Sequence, residues 1–366
     1  MWPPFVFVGP CPKDGTHPLP GDRNAIRQEC FPMMKMILKR LLLLFLVVFG
    51  VTLMTFLMSR VIPGDPARMM VGQRASEETL QRVREQLGLD QPLWVQYVQY
   101  LKGLLSGDLG ISIRTQKPVL DDLIAFFPAT LELALLAFLF AILVGIPLGV
   151  LAAVKKDTFW DHASRLFSIA GVSTPVFWSG LVMILIFYGY LGWFPSSGRL
   201  DMDIHPPTRI TGLYLVDSLL TLDFIAFKNS LWHILIPALT LSYAQLAIIT
   251  RQVRASMIEV LEQDYIRTAI ANGIHGPFLL FRYALKNALI PAVTVIGTSF
   301  GSLLGGAVVT ETIFGWPGMG KYVVESIAYL DFPAIMGFSL VIAVGYVLIN
   351  LLVDLTYFLL NPQIKE

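Results

Sequence analysis

Leu133-Ala-Leu-Leu-Ala-Phe-Leu-Phe-Ala-Ile-Leu-Val-Gly-Ile-Pro-Leu-Gly-Val-Leu-Ala-Ala-Val154 holds no charged side chain. A helix crossing the hydrocarbon core of a bilayer needs about 20 apolar residues, and this stretch supplies them. Its apolarity is continuous instead of alternating, so it reads as a helix and not as a barrel strand. Working outward, five more charge-free runs of similar length occupy residues 41–59, 166–198, 229–250, 287–310 and 332–353. The sequence therefore predicts an all-α integral membrane protein with six transmembrane helices. The third run is too long for one crossing. It is expected to span from near Leu166 to about Leu191 and to leave the membrane through Trp193, Phe194 and Pro195.

Composition supports that class. Of 366 residues, 55% are hydrophobic and 14% charged, against roughly 25% charged in a soluble domain. A net charge of +1 gives no basic surplus for nucleic acid. The two cysteines, Cys11 and Cys30, cannot build a disulfide framework or a cysteine-rich metal site.

Orientation follows from Lys and Arg near the span ends. With the N-terminus inside, segments 33–40, 155–165, 251–286 and 354–366 hold twelve basic residues, and the short outside loops 199–228 and 311–331 hold four. Both termini are then inside. The first apolar run is too long for a signal peptide and no small-residue cleavage site follows it, so it is expected to stay as an anchor. The resulting division is a Pro-rich, disordered extension (1–35), a first transmembrane helix (36–60), a structured outside loop (61–129), a core of five spans (130–360) and an inside tail (361–366). The extension is expected to play no part in transport, as an upstream start codon would give.

In the outside loop, Ser76 is expected to cap a helix through about Leu87. Asp90 and Pro92 open a second, striped by Leu93, Trp94, Tyr97, Leu101 and Leu104. Such helices suit either the membrane surface or the mouth of a pore. Between spans four and five, Asp264 reads as a helix cap, Gly273 as a helix stop and Pro277 as the first turn of a new short helix. This helix–turn–helix places Ile274, Phe278 and Leu279 at an apolar tip facing the cytosol, which suggests a protein docking site.

The same residues carry a family resemblance. Tyr265-Ile266-Arg267-Thr268-Ala269-x-Ala271-x-Gly273, then Leu285-x-Asn287-Ala288-Leu289-Ile290-Pro291, resembles the EAA loop of ABC importer permeases, here 254–287. The dipeptide, oligopeptide and nickel branch, first-subunit type, is the nearest in pattern. Ile62-Pro63-Gly64-Asp65-Pro66, Leu87-Gly88-Leu89-Asp90-x-Pro92, Gly107-Asp108-Leu109-Gly110, Glu311-x-x-Phe314-x-Trp316-Pro317-Gly318-Met319-Gly320 and Asn350-x-x-x-Asp354-x-x-Tyr357 match in the same order along the chain. The resemblance covers about 36–363.

It implies a type I importer permease fold in a bacterial inner membrane, with this chain forming half of a translocation pore. It also implies a homologous second permease, two cytosolic ATPases that carry the ATP and Mg, and a periplasmic substrate-binding protein. This chain itself would bind no cofactor and perform no catalysis. Asp264, Tyr265, Arg267, Thr268, Ala269, Gly273, Ile274, His275, Phe278 and Leu285 would form the ATPase contact. Di- or oligopeptides are the implied cargo, with nickel or glutathione as the alternative. Arg267 and Thr268 replace the general EAA glutamate and its neighbour. Ile270 and Asn272 stand where the branch often has basic residues, and Asn361-Pro362-Gln363 replaces a usual Asp-Pro-Arg. These departures put more weight on shape and apolar burial than on charge.

Candidate pore-facing polar residues are Ser173, Thr174, Tyr243, Gln245, Thr298, Ser299 and Ser302. An ion-coupled secondary transporter is the alternative from another class, but it normally needs ionisable groups at mid-span, and the runs have none. Gly315–Lys321 nearly matches a phosphate loop, yet Tyr322 occupies the hydroxyl position and no strand precedes it. Gly297-Thr298-Ser299-Phe300-Gly301 fits a hydrolase elbow in letters only, since it lies inside a span. Gly297, Gly301 and Gly305 recur every four residues, as helix packing or pore lining requires. His233 reads as an interfacial residue, and Glu132 and Asp354 as structural groups at span ends.

Overall fold

The computed structural model describes residues 23–61, 68, 76–86 and 88–360. The motif at 62–66 and the tail 361–366 lie outside these residues, as does the side chain of Asp354. Residues 1–22 of the Pro-rich extension also lie outside them. From Arg23 onward the backbone is already helical, so the expected disordered segment does not reach residue 35.

Helix α1 (Arg23–Val61) leads to two outside helices, α2 (Glu77–Gln86) and α3 (Leu93–Leu105). Then come α4 (Val119–Val154), α5 (Phe159–Ser173) and α6 (Val176–Met183), the last continuing as a π-helical stretch Ile184–Tyr190. The outside segment carries α7 (Tyr214–Leu220). The second half comprises α8 (Phe224–Leu261), α9 (Asp264–Ala271), α10 (Gly276–Phe278), α11 (Leu285–Ile313), α12 (Met319–Ala328) and α13 (Phe332–Leu360).

Among the described residues five helices are long and apolar enough to cross a membrane, and α5 with α6, taken as one broken span, makes a sixth. The third span is thus not the single helix expected from Leu166 to Leu191. Its halves meet at 107°. Pro175 has no N–H to donate and pushes Thr174 out of the helical region, to φ −85°, ψ 123°. The pair still traverses the bundle. Asp161 near its start bonds Arg254, and Trp193 just past its end accepts from Trp232 Nε1 at 2.7 Å. Those partners lie 22 residues apart on α8, about 33 Å of helix.

The charge-free runs mark only the middles of the spans. Helix α4 extends back to Val119, and α8 runs from Phe224 to Leu261, well beyond the expected 229–250. Small residues let the backbones meet. A Cβ at Gly149 of α4 would collide with the Thr250 carbonyl and Val253 of α8. A Cβ at Gly297 or Gly301 of α11 would collide with Val353 or Tyr346 of α13, whereas one at Gly305 would meet no described atom within 4 Å.

In the outside loop, the Thr79 N–H donates to Ser76 Oγ at 3.3 Å, as a cap should. Helix α3 packs along the outer part of α1. Tyr97 OH sits 3.1 Å from Thr52 Oγ1, and its ring centroid lies 5.2 Å from that of Phe56.

Candidate coupling elbow and outer closure

The elbow lies at the basic end of the bundle. Lys156, after α4, is 3.5 Å from Glu262 at the end of α8. Helix α9 follows at once, with Gln263 as its N-cap, so Asp264 occupies the first helical position instead of the cap itself. The helix ends in a Schellman pattern. The Ile274 N–H donates to Ala269 O at 3.0 Å, and the Gly273 N–H to Ile270 O at 2.9 Å. This geometry requires φ of +81° at Gly273, the left-handed region where glycine is favoured. Among the described residues no atom lies within 4 Å of a Cβ built there.

The expected independent short helix after Pro277 is not separate. Helix α10 passes through a π-helical stretch, Leu279–Ala284, directly into α11, so the elbow and the fifth span form one continuous rod, Gly276–Ile313. The apolar tip is also smaller than the sequence suggested. Phe278 remains 55% exposed, but Leu279 is buried and Ile274 half-buried against the chain's own core. Periodicity turns Ile266, Ala269 and Leu279 inward, onto Met257, Ala284 and Ala288.

The named coupling residues therefore divide. Asp264, Tyr265, Arg267, Thr268, Gly273, His275 and Phe278 are exposed around one surface. Ala269 is buried and Leu285 half-buried; both serve to seat the elbow. Asn287 Nδ2 donates to Tyr265 OH at 2.8 Å and pins α9 to α11. The sequence signalled Asn287 only as a motif letter, not as the partner of Tyr265.

The candidate path residues also fall into groups. Ser173, Thr174 and Tyr243 gather near the break between α5 and α6, where Tyr243 OH reaches Phe167 O at 3.4 Å. Thr174 Oγ1 is committed to Ala170 O at 2.7 Å. Ser173 lines a cavity of about 390 Å³ beside Arg165, Arg251 and Arg254. Gln245 is half-buried on α8. Thr298 and Ser302 lie on the exposed side of α11, whereas Ser299 is buried and donates to Val295 O at 2.8 Å, within its own helix.

At the other end, Glu311 is fully buried and holds the turn after α11 shut. It accepts from Thr130 Oγ1 at 2.6 Å, from the Gly320 N–H at 2.6 Å and from the Lys321 N–H at 3.1 Å. The amides that would cradle a phosphate in a nucleotide loop are thus already occupied by a carboxylate of the same chain. A Cβ at Gly318 or Gly320 would strike that carboxylate, which accounts for both glycines of the motif. Beside it, Arg199 Nη2 donates to Glu132 Oε2 at 2.5 Å, and Trp316 Nε1 to Ala129 O at 2.9 Å. Asp201 accepts from Asn229 and meets His233 Nε2 at 3.1 Å; these bonds outweigh burial and hold its carboxyl below the usual range. Among the described residues no cluster of His, Cys, Asp and Glu could hold a metal.

Residues 145–366 match the family described as the binding-protein-dependent transport system inner membrane component, and residues 33–134 match the N-terminal region of such components. The chain is 54% identical over 341 residues to a probable D,D-dipeptide transport system permease protein of Escherichia coli K12, covering 93% of this chain and 97% of that protein. It is 44% identical to a dipeptide transport system permease protein of Alkalihalophilus pseudofirmus, over 91% of this chain and all of that one. A glutathione transport system permease protein of Escherichia coli O6:H1 is 36% identical, over 91% and 99% respectively.

Proposed function

The chain belongs to the family of binding-protein-dependent transport system inner membrane components, and from that premise we propose that it is the permease of an ATP-driven importer of dipeptides and related short peptides, driven through the elbow at 264–285. It is a multi-pass subunit of the inner membrane, not an enzyme. The observation that supports coupling through the elbow is its construction. An exposed tip is fused without a loop to a span of the core. Movement imposed on Phe278 and its neighbours is passed to α11 as a body.

In the proposed assembly the basic end faces the cytosol, as the Lys and Arg count favours. One elbow serves one ATPase, so a second, homologous permease supplies the other. ATP and Mg stay with the two ATPases, and a periplasmic binding protein delivers the cargo. Short peptides are preferred over glutathione or nickel because the more similar relatives are dipeptide permeases. The experiment is co-purification from native membranes followed by reconstitution. Recovery of a second permease and two ATPases, with ATP-dependent peptide uptake, is expected. Uptake by this chain alone, driven by an ion gradient, would overturn the proposal.

A further inference from the structure

A cavity of about 370 Å³ sits where the outer end of α1 meets α3 and the start of α13. Arg60, Gln96, Tyr100 and Asp108 are among its walls. Three of its polar atoms are buried with no hydrogen-bond partner among the described residues: Arg60 Nε, Gln96 Oε1 and Tyr100 OH. Gln96 as a whole is only 7% exposed, with both of its donor bonds spent on Leu89 O and Gln91 O. Buried polar groups are normally satisfied, so these three point to a polar occupant. Arg60 brings a positive charge, Asp108 a negative one, and Gln96 Oε1 a spare acceptor.

An apolar groove of about 680 Å³ lies between α1, α11 and α13. Gly50, Gly301, Gly305, Phe338 and Ile342 line it. The two sites follow the same helix faces: Val51, Thr55 and Ser59 on α1, and Phe332, Met336, Ser339 and Ala343 on α13. A cavity with buried polar groups at the end of a span, followed along the same helix faces by an apolar groove at bilayer depth, matches the polarity of a phospholipid headgroup and chain.

We propose that this cavity and groove form a binding site for one zwitterionic aminophospholipid of the outer leaflet. Its phosphate pairs with Arg60. Its ammonium faces Asp108 and Gln96 Oε1, and an acyl chain runs down past Gly50 and Gly305. The lipid fastens α1 and the α2–α3 loop to α13, independently of the coupling elbow.

The test uses the whole transporter in nanodiscs containing phosphatidylethanolamine and phosphatidylglycerol, with lipid retained after mild detergent extraction read by native mass spectrometry. Wild type is expected to retain phosphatidylethanolamine, and R60Q to retain about tenfold less, as loss of a charge-assisted contact predicts. G305L fills the trough from a position where a Cβ meets nothing, and is expected to lower retention while the complex stays assembled. Equal retention by wild type and both variants would overturn the site. So would a preference for phosphatidylglycerol, or a structure of the complex with a helix of the second permease filling the groove.

Discussion

Asn287 reaches back 22 residues to donate its Nδ2–H to the hydroxyl of Tyr265 at 2.8 Å. One residue lies in the first turn of α11, part-way along the rod, and the other in the first turn of the elbow helix. The bond therefore fixes the angle at which a push on α9 enters α11. Tyr265→Phe removes it and keeps the ring. A hydrogen bond of this kind contributes about 1 kcal/mol, so the fold is expected to survive. Peptide taken up per ATP hydrolysed, measured in proteoliposomes, should fall several-fold, with Asn287→Ala giving the same ratio. An unchanged ratio in both would remove this bond from the coupling path.

Gly273 separates backbone strain from crowding. Its φ of +81° costs most side chains about 1 kcal/mol or more, but Asn and Asp enter that region more readily. Nothing among the described residues lies within 4 Å of a Cβ there. Gly273→Asp is thus expected to reach the membrane in normal amount, yet to uncouple ATP hydrolysis from uptake because its side chain projects where the ATPase would dock. Gly273→Val should also lower the membrane-inserted amount, read by immunoblot. Full transport by the Asp variant would count against contact at this position.

How much of this was legible in the sequence depends on what sets each feature. The spans could be read because solvation by lipid requires long charge-free runs, and Gly273 because a helix stop has a local backbone requirement. The break at Thr174-Pro175 carried one local sign, Pro175, but Pro147 and Pro237 sit inside the unbroken helices α4 and α8, so a proline in an apolar run does not by itself fix a break. The depth of Leu279 and Ala269 depends on which elbow face meets α8 and α11, a tertiary choice. Glu311 was visible as a motif letter, but its partner Thr130 lies 181 residues away. Only the folded chain joins them.

That junction gives a stability prediction. Gly318→Ala and Gly320→Ala each drive a methyl group into the Glu311 carboxylate. Overpacking of this kind costs typically about 1–3 kcal/mol. Both variants should lower the midpoint of thermal unfolding in detergent, while Gly305→Ala, in open space, should not. Equal midpoints for all three would show that the closure relaxes freely.

Asp217 predicts a pH dependence at the outer face. Burial would raise its pKa, but it accepts from Thr211 Oγ1 at 2.6 Å and from the N–H groups of Thr211, Gly212 and Ile210, and these bonds hold it below the ordinary carboxylate value. A depressed folded pKa stabilises above the unfolded pKa of about 4 and loses that contribution as pH falls through the folded value. Amide exchange at residues 210–212 should therefore stay protected from pH 7 down to about 4 and open below it. Asp217→Ala, which removes both acceptor oxygens, should expose those amides at every pH.

The last relationship links the broken span to α8. Arg254 Nε and Nη2 donate to the two oxygens of Asp161 at 2.5 and 2.8 Å, and the Asp161 side chain is wholly buried. Removing one partner of a buried pair strands the other, typically at about 3–5 kcal/mol. Arg254 keeps some contact with water, its side chain being 20% exposed, so Asp161→Ala should fall near or below the lower end of that range. Replacing both, Asp161→Ala with Arg254→Met, leaves no stranded charge and should recover part of the lost stability. A double-mutant cycle on thermal unfolding measures the coupling directly. If the double variant is as damaged as the sum of the single ones, the pair does not act as a unit, and α5 is held to α8 by packing alone.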